Sequence, residues 1–228
     1  MSYKLDNKDI DIAGKRLSKI GSGKTGDIYR YKNMALRIFR EDIKTPIDLE
    51  TANYLKEIST DRIIVPKNIL FYNNSFAGFT YKLINNRGRG QKIINQSKED
   101  LIDEISVVEK DIERLSSKKI LLNGIEPSNT LFNGQLFITN PSKFRRLDLM
   151  STLELEQLNK YQFHLLLTAL ISSEIKKSNY DSRYEKKIKE ELSERDEFDT
   201  LASFYADFID ENENIKQKIK KMNVEREV

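Results

Sequence analysis

The apolar positions change period about a third of the way along the chain. Residues 16–20, 27–31 and 35–39 are short apolar and β-prone runs separated by glycine-rich or polar pairs, which predicts three strands. The first two are joined through the glycines at 21, 23 and 26, and the second and third through Asn33 and Met34. Residues 47–58 then switch to helical spacing, with Leu49, Ala52, Leu55 and Ile58 on one side. Two further strands follow at 63–72 and 76–84 around the turn signal Asn73-Asn74-Ser75.

The polar stretch 85–90, with Gly88 and Gly90, marks a boundary. Beyond it helices dominate. Ser97 to Asp100 reads as a capping box, opening a helix whose stripe is Leu101, Ile105, Val108, Ile112 and Leu115. Glu104 and Glu109 are assigned to its exposed face. Residues 120–137 carry short β-like pieces around Pro127 and the Asn133-Gly134 turn. A long helix is predicted over 153–175, central at 163–170, with amphipathic helices over 184–192 and 198–209 and a solvated charged tail from 211.

Composition narrows the function classes. The 228 residues are 38% hydrophobic and 33% charged, a globular profile, and carry a net charge of +3 from 39 basic and 36 acidic side chains. Those charges are dispersed, which argues against a nucleic-acid partner. Without cysteine there is no disulfide or thiolate chemistry, and one histidine, His164, excludes a multi-histidine metal site. No apolar run is long enough to span a bilayer and residues 1–12 lack a signal-peptide core, so a cytoplasmic location is expected.

The richest local signal is Gly21-Ser22-Gly23-Lys24-Thr25-Gly26-Asp27-Ile28. Glycines let backbone N–H groups approach phosphate oxygens. Gly23-Lys24-Thr25 matches the end of a Walker A loop, but Ser18 stands where that motif needs its first glycine, and a strand rather than a helix is predicted to follow. The spacing Gly21, Gly23, Gly26, Ile28 between two strands fits the glycine-rich loop of protein kinases instead.

Further segments in the same order resemble the protein-kinase superfamily. Ala35-Leu36-Arg37 is similar to the third-strand motif, with arginine in place of the phosphate-holding lysine, and Glu50 to the helix glutamate that pairs with it. Residues 78–84 resemble the fifth strand entering the hinge, with Tyr81 as gatekeeper and Leu83 beyond it. Residues 122–132 resemble the catalytic loop, with Gly124 at the catalytic aspartate, Glu126 at the lysine, and Asn129 at the metal-binding asparagine; Asn140 stands at the aspartate of D-F-G.

The resemblance, to a small bacterial-type pseudokinase, implies an α+β, bilobal fold. Residues 1–84 would form a small antiparallel β-rich N-lobe with one helix, and 85–228 a shortened, mainly helical C-lobe, hinged at 82–90. Candidate nucleotide-binding residues are Gly21, Gly23, Lys24, Gly26, Ile28, Ala35, Arg37, Tyr81 and Leu83, with Arg37–Glu50 as a structural pair. Glycine at 124 supplies no base, and Glu126 would repel a phosphate. Two carboxamides, Asn129 and Asn140, hold magnesium poorly.

No catalytic or metal-ligating residue is therefore assigned; ATP binding is expected to be weak or absent and Mg²⁺ doubtful. The expected role is a regulatory or interaction module whose partner is another protein. The alternatives are an atypical ATP-dependent phosphotransferase and a Walker-type NTPase. His164 is expected to be structural, Lys143, Arg145 and Arg146 to form a solvated charged turn, and Arg87 and Arg89 to lie in a solvated linker.

Overall fold

The computed structural model describes residues 3–6, 8–10, 12, 17–41, 45–85 and 98–177, with the backbone alone at 98, 168 and 171–177. The class is α+β: a large antiparallel sheet, two small two-stranded sheets and three helices among the described residues. Residues 86–90 of the boundary stretch 85–90, Ser97 of the capping box, the helices expected over 184–192 and 198–209 and the tail from 211 lie outside the described residues.

Seven strands form the sheet: β1 (Tyr3–Leu5), β2 (Lys8–Ile10), β3 (Ser18–Gly23), β4 (Gly26–Tyr31), β5 (Met34–Phe39), β6 (Asn68–Tyr72) and β7 (Ser75–Lys82), in spatial order β2-β1-β6-β7-β5-β4-β3. The glycine-rich segment is a tight hairpin rather than an open loop, because Gly23 pairs with Gly26 and only Lys24 and Thr25 form the turn. Gly26 is fixed by space: a Cβ there would run into the carbonyl oxygen of Ile38 on β5. Asn73 and Asn74 both adopt positive φ, 48° and 64°, which suits a two-residue hairpin turn.

The first two strands were not anticipated. They form a hairpin beside β6, and the turn residue Asp6 secures it: its carboxylate accepts from Ile69 N–H, Asn68 Nδ2 and Lys56 Nζ, each at 3.0 Å. The strand expected over 63–72 begins only at Asn68; Ile63 instead makes a single parallel bridge to Ile138.

Helix α1 (Leu49–Lys56) starts at Asp48, whose carboxylate accepts from Thr51 N–H at 2.6 Å and from Thr51 Oγ1 at 2.8 Å. Ala52, Leu55 and Ile58 are buried as expected, but Leu49 is exposed and Ile47 takes the buried place before the helix. Helix α2 (Lys98–Ser117) buries all five stripe residues.

After α2 come β8 (Ile120–Leu121), a 3-10 turn at Pro127–Asn129, the hairpin β9 (Thr130–Phe132) and β10 (Leu136–Ile138), a second 3-10 turn at Pro141–Lys143, β11 (Arg145–Arg146) and α3 (Thr152–Lys177). One apolar core runs from the sheet (Phe79, Tyr81) through Ile63 to Ile105 and Val108 of α2 and Phe163 of α3. No helix among the described residues is long and apolar enough to cross a membrane.

Glu104 and Glu109 correct the assignment to an exposed face, since both are buried. Glu104 takes a two-pronged bond from Arg62 (Nε to Oε2 2.9 Å, Nη2 to Oε1 3.0 Å) and a bond from Leu136 N–H at 3.0 Å. Fully buried Asp111, two helical turns further on, accepts the backbone N–H groups of Asp61, Arg62 and Ile63 at 2.6–3.0 Å. The chain at 61–64 is also tied to β10 by Ile64 N–H to Ile138 O at 2.8 Å and Ile138 N–H to Arg62 O at 2.9 Å. The segment leading from α1 to β6 is thus clamped between helix and hairpin by buried polar groups whose loss would leave backbone donors unpaired.

Candidate functional site

The site residues are carried by the β3–β4 hairpin, β5, the start of α1, β7 with the residue after it, the segment 122–129, and the turn after β10. Strand register puts Arg37 opposite Ile28 of β4 and Phe79 of β7, and Ala35 opposite Tyr81. Ala35 and Tyr81 are buried, and Ile28 and Leu83 pack on the same core. Burial pushes the Tyr81 hydroxyl up to about 12, and burial lowers the Arg37 guanidinium from its ordinary value. Arg37 remains a cation at neutral pH.

Arg37 donates from Nη2 to Thr25 Oγ1 at 2.6 Å and from Nη1 to Asn140 Oδ1 at 3.0 Å. The hairpin tip is thereby drawn onto the strand cation, and the cation onto the turn after β10. Asn140 has left-handed backbone angles (φ 74°, ψ 51°), a conformation asparagine tolerates, and its Oδ1 also accepts from Ser142 Oγ at 2.6 Å.

The expected Arg37–Glu50 pair is not formed. Glu50 sits at the start of α1 with 84% of its side chain exposed and accepts from Arg146 Nη1 at 3.1 Å. Arg146 also bonds Asp148 at 2.8 Å and stacks over Tyr54 at 4.4 Å. A cation from beyond β10 therefore holds the outer face of α1, and the strand cation is left to neutral oxygens.

Gly124 and Asn129 face each other across the segment 122–129: Asn129 Nδ2 donates to Gly124 O at 3.1 Å. Asn129 is linked to the turn by Thr139, whose N–H and hydroxyl both reach the Asn129 carbonyl at 2.7 Å. Gly124 has φ 70°, and a Cβ there would meet the Lys143 side chain. Lys143 Nζ donates to Glu126 Oε1 at 2.8 Å and holds that carboxyl below its usual range. Lys143 therefore stands beside the Glu126 carboxylate as its counter-charge. Sequence spacing could not show this, as the two residues are 17 apart on separate turns.

The cluster 143–146 is engaged rather than free. Lys143 and Arg146 are paired as described, and Arg145 Nη1 donates to Phe144 O at 2.8 Å and Ser142 O at 3.3 Å. His164 is half-buried on α3.

A Walker arrangement is not built here, since Gly23-Lys24-Thr25 runs into strand β4 and no helix N-terminus follows it. The donor set does not fit magnesium either. The Asn140 oxygen is taken by a guanidinium and a hydroxyl, and a metal cation on that oxygen would stand beside Arg37. No group of three or more His, Cys, Asp or Glu that could hold a metal occurs among the described residues.

An acid placed at position 124 tests how tightly Lys143 occupies the space over Gly124. Gly124→Asp is expected to lower stability by about 1–2 kcal/mol, because a side chain enters a left-handed position and must displace Lys143. It is expected to create no Mg²⁺-dependent ATP hydrolysis. Urea unfolding and a phosphate-release assay check the two halves.

The chain matches no protein-family model and no curated protein.

Proposed function

We propose that the protein is a catalytically impaired protein-kinase-like module, a pseudokinase, that acts by binding another protein and has absent or weak affinity for nucleotide. The reading includes the bilobal division at residues 82–90 and a cytoplasmic location, both expected from sequence. One observation carries it: the positions that would supply the base and the metal ligand are Gly124, overlaid by Lys143, and Asn140, committed to Arg37. Phosphoryl transfer needs a metal to neutralise developing charge and a group to orient the acceptor. Here a lysine and an arginine stand in those places, and neither accepts a proton or binds Mg²⁺.

The atypical phosphotransferase alternative would need its metal on other groups than these. A thermal-shift titration with ATP, with and without Mg²⁺, separates the readings. The pseudokinase reading expects no stabilisation that depends on Mg²⁺. A bound ligand at a hundred times its Kd would add about 2.7 kcal/mol, so a Mg²⁺-dependent rise in melting temperature together with ATP turnover would overturn it.

A further inference from the structure

Two asparagines of this chain stand directly before a glycine, in Asn123-Gly124 and Asn133-Gly134. The carboxamide of an asparagine is open to attack by the backbone nitrogen of the next residue. Glycine there lacks the Cβ that would crowd the ring being formed, and its backbone turns freely. The fold treats the two pairs differently. Asn123 is exposed and lies between β8 and the first 3-10 turn, outside any strand ladder. The attacking group, the Gly124 N–H, has no acceptor among the described residues; Gly124 is held through its carbonyl, by Asn129 Nδ2 at 3.1 Å.

Asn133 is half-buried and closes the β9–β10 hairpin. Its N–H goes to Gln135 O at 3.2 Å, Phe132 pairs with Leu136 on either side of the turn, and the Gly134 backbone is itself engaged. Ring closure at Asn133 must turn a peptide plane against that pairing, whereas at Asn123 no ladder opposes it.

We infer that Asn123 is a modification site, one at which the folded chain deamidates without an enzyme. The Gly124 nitrogen bonds to Asn123 Cγ, the carboxamide C–N bond breaks, and ammonia leaves with the proton that the Gly124 nitrogen gives up. Water then opens the succinimide at either of its carbonyls, giving aspartate or isoaspartate. Water is the only co-reactant and nothing is oxidised or reduced. Both products set a carboxylate next to residue 124, over which Lys143 lies, its Nζ 2.9 Å from where a Cβ would stand. The new acid competes with Glu126 for that counter-charge. The isoaspartyl product also adds a methylene to the main chain ahead of Gly124, which takes the Gly124 carbonyl out of register with Asn129. The segment 122–129 loosens with age as a result, whether or not the chain takes nucleotide.

Incubation of the full chain in mildly alkaline buffer, folded in one arm and unfolded in guanidinium chloride in the other, tests it. Peptide mass spectrometry with fragmentation reads residues 123 and 133 separately, and an isoaspartyl methyltransferase assay reads the isoaspartyl product. In guanidinium both asparagines should convert at similar rates, since each is followed by glycine. In the folded chain Asn123 should keep most of that rate, and Asn133 should fall behind it by about fivefold or more, the equivalent of one net hydrogen bond. Asn123→Gln, a change at an exposed position, should abolish conversion at 123 and leave the urea midpoint in place. Amide exchange over 124–129 should quicken in the aged wild type and not in aged Asn123→Gln. The inference is overturned by an Asn123 that stays intact in the folded chain while it converts in guanidinium, by an Asn133 that converts first, or by unchanged exchange after conversion.

Discussion

Asp111→Ala is expected to cost on the order of 3–5 kcal/mol, a large share of the stability of a domain of this size. The side chain is fully buried on α2 and accepts three consecutive backbone N–H groups, those of Asp61, Arg62 and Ile63. Alanine leaves all three donors facing a cavity that offers no acceptor. Arg114, which reaches Asp111 Oδ1 at 3.1 Å, would keep only its exposed partner Asp61 at 2.8 Å. Asp111→Asn keeps the volume and one acceptor oxygen and should cost less. Urea unfolding of the three chains side by side checks this; equal midpoints for wild type and Asp111→Ala would refute it.

Asn159→Ala ranks second, at about 3–4 kcal/mol. Asn159 is fully buried on α3, where its Oδ1 accepts from Leu122 N–H at 2.8 Å and its Nδ2 donates to Ser116 Oγ at 2.9 Å and Ile120 O at 2.8 Å. One carboxamide therefore joins the end of α2, strand β8 and α3. The same bond to Leu122 fixes the entry to the segment that carries Gly124 and Asn129. The loss should show twice, as a lower urea midpoint and as faster amide exchange at Leu122. Unchanged exchange at Leu122 would contradict the role given to the side chain.

How much of this was legible in the sequence depends on the range of the interactions. The stripe of α2 and the turns at Asn73-Asn74 and Asn133-Gly134 are local, so period and turn chemistry suffice to read them. The β1–β2 hairpin escaped because its strands are three residues each and the strand that steadies them, β6, begins at Asn68. Glu104 and Asp111 were readable in principle: 104, 108, 111 and 115 fall on one helical line, so two acids sit within the apolar stripe itself. Taking Glu104 as a surface charge follows from the usual exposure of acids, which fails when a backbone donor and a guanidinium are supplied from elsewhere. In the candidate site, the order of the pieces was visible but not the pairing. Arg37 could be matched to Glu50 by analogy alone, whereas its partners lie 12 and 103 residues away in sequence.

That last separation bears on how the molecule assembles. Bringing together groups 103 residues apart means closing a long loop, and its entropy must be met before the contact contributes anything. The hairpins β3–β4 and β9–β10 need only their own turns, and so can form without it. The bond between Arg37 and Asn140 belongs to the end of folding, when sheet and helices have already been joined through Asp111. A chain stalled before that point would carry nearly all of its secondary structure without the link from the hairpin tip through Arg37 to the turn after β10.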